Sequence, residues 1–307
     1  MERTFVYPIT EQENKMPIGR YLRSMGFSAQ ALIALKKMPG SILLNGRWEY
    51  VHKEMSAGDV LTIHLLEKES SPHIPPIPLP LDILYEDEDL LVVNKPADMP
   101  IHPSMNNHDN TLANAVAYYF QSRNIPYVFR CVNRLDRDTT GLTVLAKHMV
   151  SAGILSKMVQ NRTLHREYQA IVSGTDLPDF GTIDAPIARV EGSTIERKVD
   201  FEKGEHAVTH YRVLQRDTAK NLSLLSLSLE TGRTHQIRVH MKYLGYPLIG
   251  DFIYHPDKTY IARQALHSCR LSFPHPITKE AMDFHAPLPE DMRILQEKTF
   301  NYNNFTK

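Results

Sequence analysis

The stretch "LEKESSPHIPPIPLP" at residues 66–80 holds five prolines among serines and charges. Each proline fixes φ and removes a backbone donor, which closes regular helix and sheet interior to this segment. It reads as an extended linker that splits the 307-residue chain. The expected division is a small N-terminal unit over 1–65, the linker over 66–80, a body over 81–295 and a tail over 296–307. The length allows one large domain beside a small one, and nothing repeats at a fixed period. The opening "MERTFVYPITEQENK" lacks the apolar core of a signal peptide. No run reaches the roughly 20 apolar residues of a membrane span. Cys131 and Cys269 are the only cysteines and lie far apart, so they read as reduced thiols in a cytoplasmic protein with no membrane partner.

In the N-terminal unit, "IGRYLRSMG" and "SAQALIALKKM" carry helical patterns, the second capped by Ser28 and striped with Ala31, Leu32 and Leu35. Pro39-Gly40 ends it. "SILLNGRWEY" then sets Asn-Gly between apolar runs, the strongest short hairpin signal, and "SAGDVLTIHL" adds a turn and a strand. The whole chain balances 35 Lys and Arg against 35 Asp and Glu, which argues against a generic polyanion binder. The balance hides two basic islands. Segment 16–53 holds Arg20, Arg23, Lys36, Lys37, Arg47 and Lys53, and segment 231–247 holds Arg233, Arg238 and Lys242 with no acid. Together they predict one basic face.

In the body, "DILYED" and "LLVVNKP" read as strands, and "DNTLANAVAYYFQSRN" as a helix capped by Asn110. "NLSLLSLSLETGRT" alternates leucine with serine as a half-buried strand. "HQIRVHMKYLG" sets Ile237, Met241 and Leu244 on one helical face, with Gly245 at the C′ position. His235, Arg238 and Lys242 follow at i, i+3 and i+7 as a cationic stripe. Strands dominate with a few helices between them, which defines an α+β class with a mixed, largely antiparallel central sheet.

The chemistry concentrates in "RCVNRLDRDTTGLTVLAKH" (130–148), where Asp136 and Asp138 alternate with Arg134 and Arg137. As D-x-D-x-T, the stretch fits an aspartyl phosphotransferase that needs Mg²⁺ and further acids to hold it. No paired acidic motif follows on a later apolar strand. As a metal-free site, an acid flanked by cations stays ionised and suits a developing sugar oxocarbenium. In isolation, the same residues would be solvated turn pairs.

They are not isolated. "NRLDRDTTGLTVLAK" resembles the H-R-L-D-R-D-T-S-G-L motif of the RluA-type RNA pseudouridine synthases. "VVNKPADMPIHPS", "LHREYQAIVSG", "TGRTHQIRVHMKYLGYPLIGD" and "LHSCRLSFPHPITKEAMDFHAPLP" match in order and spacing, so the resemblance covers roughly residues 81–290. Residues 16–65 resemble the alpha-L RNA-binding fold.

The resemblance implies a pseudouridine synthase-like catalytic domain behind a small alpha-L domain. The reaction it implies breaks the N1–C1′ bond of an RNA uridine and rejoins the ribose to carbon 5, with no metal or other cofactor. Asp136 is implied as the catalytic aspartate, either attacking C1′ or taking the C2′ proton. Arg238 is implied as its ion-pair partner, with Arg233 the second candidate for that role. Tyr168 is implied to stack on the base and to be a candidate for the carbon 5 proton step. Arg134 is implied to fill the stack vacated by the flipped uridine. Arg137, Arg233 and Lys242, with Arg20, Lys36 and Lys37 in the N-terminal unit, are the expected RNA contacts, and the loop 102–110 borders the RNA. Asn133 stands where the family commonly has histidine, so the histidine's task is either an uncharged hydrogen-bonding one here or is missing. Thr140 keeps the hydroxyl of the commoner serine. The expected substrate is large-subunit ribosomal RNA, with transfer RNA the rival, acted on by a monomer. A catalytically silent RNA-binding or ribosome-assembly factor is the alternative reading.

Overall fold

A computed structural model of the chain describes residues 1–104 and 107–300. The first element is strand β1 (Glu2–Pro8), followed by helices α1 (Ile18–Ser24) and α2 (Ala29–Lys36). Strands β2 (Ile42–Leu44), β3 (Arg47–Trp48) and β4 (Val60–Leu66) complete a four-stranded sheet in the order β1-β4-β2-β3. Ser28 accepts from the Ala31 amide as expected of a cap. Asn45 and Gly46 both take positive φ, 53° and 77°, the turn that a two-residue hairpin demands. The pattern of the first residues had not marked β1, whose partner β4 lies some 60 positions away.

In the body, β5 (Ile83–Glu86), β6 (Leu90–Lys95), α3 (Leu112–Gln121), β7 (Thr140–Ala146) and α4 (Met149–Gln160) come first. Next are β8 (His165–Ser173), β9 (Phe180–Asp184), and the two-stranded pair β10 (Ile187–Arg189) and β11 (Arg197–Val199). Strands β12 (Val208–Asp217) and β13 (Leu222–Leu229) precede α5 (Gln236–Tyr243). The chain closes with β14 (Leu266–Pro274), β15 (Ala281–His285) and α6 (Glu290–Phe300). Nine strands form one sheet in the order β5-β6-β7-β14-β8-β13-β12-β9, with β15 paired to β14. Every pairing is antiparallel except β7 with β14, so the sheet is mixed and largely antiparallel. Helix α6 runs across residue 295 and buries Leu295 and Phe300 against Ile171, Leu224 and Ile249. The expected cap of α3 is corrected by one position: Thr111, not Asn110, accepts from the Asn114 amide and completes a capping box with the Asn114 side chain.

The N-terminal sheet is fastened to the body. Val150 and Ile154 of α4 sit in the same apolar cluster as Phe5, Phe27 and Leu22. Arg3 grips Asp89 through Nε and Nη2 at 2.9 and 3.2 Å, and His148 Nε2 meets the same carboxylate at 2.8 Å. His275 Nε2 reaches Asp87 at 2.9 Å. In both histidines Nδ1 accepts a backbone amide, which leaves Nε2 as the donor to the acid. The Asp87, Asp89 and His275 atoms lie close enough to chelate an ion, but Arg3 and the two ring N–H groups already occupy the carboxylates. The linker lies along α3, with Asn114 Nδ2 donating to the Pro75 carbonyl at 2.8 Å and Ile74, Leu79 and Leu81 packed inward.

Candidate active site

Asp136 lies in the segment that leads into β7, and three anchors fix that segment. Asn133 is buried and spans to β7, accepting from the Val144 amide at 2.8 Å and donating to the Leu142 carbonyl at 3.1 Å. Lys95 Nζ donates to the Arg137 carbonyl at 2.9 Å, and Arg263 Nη1 to the Asp138 carbonyl at 3.0 Å. Burial pushes the Lys95 ammonium down to about 7. A turn bond from the Thr139 amide to the Asp136 carbonyl, 3.1 Å, aims the acid out of the loop. Gly141 then lets β7 run hard against β14: a Cβ there would lie 2.2 Å from the Ser268 carbonyl oxygen, and its φ is +107°.

The acid meets Arg238 from α5, whose Nη1 donates to Asp136 Oδ2 at 3.0 Å. Arg238 is only 2% exposed as a side chain, against 25% for Asp136. Its other edge is held by Asp251, fully buried, which accepts from Nε at 2.6 Å and from Nη2 at 2.7 Å. Burial alone would lower the guanidinium pKa, but the hydrogen bonds and charges of Asp251 and Asp136 outweigh it and raise the value. Arg238 is therefore a fixed cation whose planar fork joins two carboxylates. Asp251 falls inside the matching motif, yet sequence reasoning gave it no role. Its position just after Gly250, at the end of that motif, was the available signal.

His235, at the start of α5, has a left-handed backbone (φ 59°, ψ 18°), uncommon for a non-glycine residue. Its Nδ1 lies 3.0 Å from the Tyr254 hydroxyl and its Nε2 4.0 Å from Asp136 Oδ2. Burial lowers its pKa, which favours the neutral ring.

Asp136, His235 and Arg238 line a cavity of about 620 Å³, within the range of small-molecule sites. Asp136, Tyr168, Arg238, Arg134, Arg137 and Arg233 all reach its wall. Tyr168, on β8, is buried, and burial raises its pKa, so it stays a neutral phenol. Arg134 is exposed and makes no ion pair among the described residues. Arg137 is tied to Asp138 at 2.9 Å, and Arg233 turns toward Glu205. Arg166 also lines the cavity; it is buried, donates from Nη2 to the Thr231 carbonyl at 3.2 Å, and its Nε has no protein partner among the described residues. Sequence reasoning missed it, although it sits two residues before Tyr168. Lys242 does not line the cavity and stands over the Tyr254 ring. Arg20, Lys36 and Lys37 lie apart on α1, on α2 and just beyond α2, exposed. The loop expected at 102–110 includes Met105 and Asn106, outside the described residues.

A sheet that sets an acid–arginine pair at the wall of a ligand-sized cavity has the form of an enzyme active site, and comparison with known proteins specifies it. Residues 89–243 match the RNA pseudouridylate synthase family. The uncharacterized RNA pseudouridine synthase YjbO of Bacillus subtilis (strain 168) is 43% identical over 91% of this chain and 98% of that protein. Ribosomal large subunit pseudouridine synthase D of Vibrio cholerae serotype O1 is 41% identical over 83% of this chain and 82% of its own. The solved structure of Human RNA Pseudouridylate Synthase Domain Containing 1 superposes with a TM-score of 0.57 at 29% identity, over 69% of this chain and 85% of that one. The chain belongs to the RNA pseudouridine synthase family, and to its RluA-type branch. It is an enzyme that isomerises uridine in RNA.

Proposed function

We propose that this enzyme isomerises uridines of large-subunit ribosomal RNA, with Asp136 as the catalytic carboxylate. The observation that carries the site assignment is the 3.0 Å contact between Asp136 and an Arg238 locked from behind by Asp251. The ribosomal address rests on relatives of some 40% identity named for that subunit; transfer RNA is the rival.

The target uridine leaves its stack and enters the cavity, at a cost of a few kcal/mol. Arg134, exposed at the rim and without an ion pair among the described residues, fills the vacated stack with its guanidinium plane. Tyr168 stacks on the uracil and serves the carbon 5 proton step. Asp136 either attacks C1′ as the N1–C1′ bond breaks, or removes the C2′ proton to leave a glycal. In both routes the base turns within the cavity and C1′ joins carbon 5, as the Asp136–C1′ bond breaks in the first route or as Asp136 returns the proton to C2′ in the second; carbon 5 then loses its proton and N1 gains one. Arg238 keeps the carboxylate aimed throughout. Arg137 and Arg233 are engaged with acids in the free protein, so their phosphate contacts require those pairs to open. The N-terminal unit is read as an alpha-L RNA-binding domain, supported by its two helices, its Asn-Gly hairpin and its exposed Arg20, Lys36 and Lys37.

The test maps pseudouridines in total RNA from a strain lacking the gene and from strains complemented with wild type or Asp136→Asn. A position in large-subunit ribosomal RNA that disappears and returns only with wild type supports the proposal. A change confined to transfer RNA overturns the address, and restoration by Asp136→Asn overturns the residue assignment.

A further inference from the structure

Trp48 is the only tryptophan of the chain, and its side chain stands in water, 49% exposed. Tyr50 is 59% exposed, and His52 is exposed beside it. Strand β3 ends at Trp48, and a turn closed by the Lys53 amide on the Tyr50 carbonyl at 3.0 Å follows; across this bend the three rings touch in a row. The Trp48 and Tyr50 centroids are 5.3 Å apart and those of Tyr50 and His52 5.7 Å, the latter pair within 11° of parallel. The intervening Val51 turns the other way and packs against the N-terminal core. The apolar demand of this segment is therefore met by Val51, and among the described residues the rings stay exposed. Tryptophan is highly buried on average, so an uncovered row led by one is the informative exception.

The surroundings fit a polyanion. Arg47 and Lys53 flank the row in sequence, and both are exposed. Helix α1 begins against the same segment, with the Ile18 amide bonded to the Lys53 carbonyl at 2.9 Å and the Gly19 amide to the Val51 carbonyl at 2.7 Å. Arg20, exposed, is the next residue of that helix. None of these three cations forms an ion pair among the described residues, although most arginines of the body do. β3 is also the edge strand of its sheet, so that side of the row is open. Exposed aromatic faces bordered by unpaired cations are the physical ingredients of single-strand binding, since every base has a face to stack and every nucleotide a phosphate.

We propose that Trp48, Tyr50 and His52 form a stacking platform for an unpaired RNA segment flanking the target uridine, with Arg20, Arg47 and Lys53 holding its phosphates. The inference rests on the reading of the protein as an RNA uridine isomerase and adds a second foothold remote from the cavity. Sequence preference at the platform is weak, because stacking does not read base edges.

The single tryptophan makes the test direct and free of folding artefacts. The wild-type protein is titrated with end-labelled single-stranded oligouridylate and with a blunt RNA duplex, following Trp48 emission and label anisotropy together. Stacking predicts saturable quenching of Trp48 by the single strand, tracking the anisotropy, reduced by salt and weak with the duplex. Trp48→Ala should weaken single-strand binding roughly tenfold, the lower end of what one base stack contributes. Anisotropy that rises while Trp48 emission stays constant would overturn the platform and leave the isomerase reading standing. So would a chain that modifies RNA but binds no single strand. Quenching by a protein that modifies no uridine in the mapping experiment would support the platform and sink the isomerase reading.

Discussion

Asp251 stands behind the site rather than in its wall, with no surface exposed to the cavity. It is fully buried and spends both oxygens on Arg238, and Oδ1 also accepts the Ile253 and Tyr254 amides. Removing its charge leaves a buried guanidinium anchored only to the half-exposed side of the network. Breaking a buried pair from one end costs about 3–5 kcal/mol. Asp251→Asn should therefore lower stability by about 3 kcal/mol in urea denaturation and reduce kcat more than it raises KM, because it has no surface exposed to the cavity. A variant with native stability and turnover would show that Arg238 needs no second anchor. The motif made Asp136, Arg238 and Tyr168 legible as candidates because each sits at a fixed place in a recognisable string. Asp251 and Arg166 lay inside the same strings, but their importance arises from burial and pairing, which a linear pattern does not display. Asn133 was legible in part: the loss of a titratable ring pointed to an uncharged hydrogen-bonding task, and its amide satisfies β7 on both sides. Asn133→Ala leaves the buried Val144 amide and Leu142 carbonyl without that partner, so about 1–3 kcal/mol should be lost, measurable as a lowered denaturation midpoint.

At the scale of elements, local chemistry was read well and non-local pairing poorly. The Ser28 cap, the Asn45-Gly46 turn and the Gly245 helix stop each depend on a few neighbouring residues, and each is in place. The alternation of Leu225, Leu227 and Leu229 placed β13 correctly. β1 depends on a partner across the whole N-terminal unit, and its mixed "ERTFVYP" offers no clean period. The parallel contact of β7 with β14 is another long-range feature, and Gly141 is what permits it. Gly141→Ala forces a methyl into the Ser268 backbone at a φ that L-residues avoid. It should either unfold the protein or displace the Asp136 loop, giving insoluble expression or soluble protein with turnover reduced at least tenfold. A soluble variant with unchanged kcat would refute the idea that this close approach sets the loop.

For the whole molecule, the coupling of the N-terminal sheet to the body runs through a buried acid. Burial works to raise the Asp89 pKa, but hydrogen bonds from His148 and Arg3 and their charges hold it down at about 2. A carboxylate whose folded pKa lies below its unfolded value contributes stability at pH above the unfolded value, near 3.9. That contribution is lost as pH falls from there toward 2. Asp89→Asn should thus be less stable than wild type at neutral pH, and the difference should shrink as pH drops through this window, as measured by thermal melts across pH. A constant difference down to pH 2 would place the coupling elsewhere. Among the described residues no helix is long and apolar enough to cross a membrane, and in the proposal above the cations at the cavity and in the N-terminal unit are the groups through which this electrically balanced chain meets RNA.

The central claim is that Asp136, aimed by Arg238, moves a ribose from N1 to carbon 5 of uracil in RNA. Forming the new bond expels the hydrogen on carbon 5, so tritium placed there is released into water once per isomerisation. Purified wild type and Asp136→Asn, each shown to bind the RNA, are incubated with large-subunit ribosomal RNA labelled at that carbon and made without modification. Tritium released to a stoichiometric plateau by wild type and not at all by Asp136→Asn is the predicted result. Equal release by both proteins, or none by wild type on any RNA offered, would contradict it.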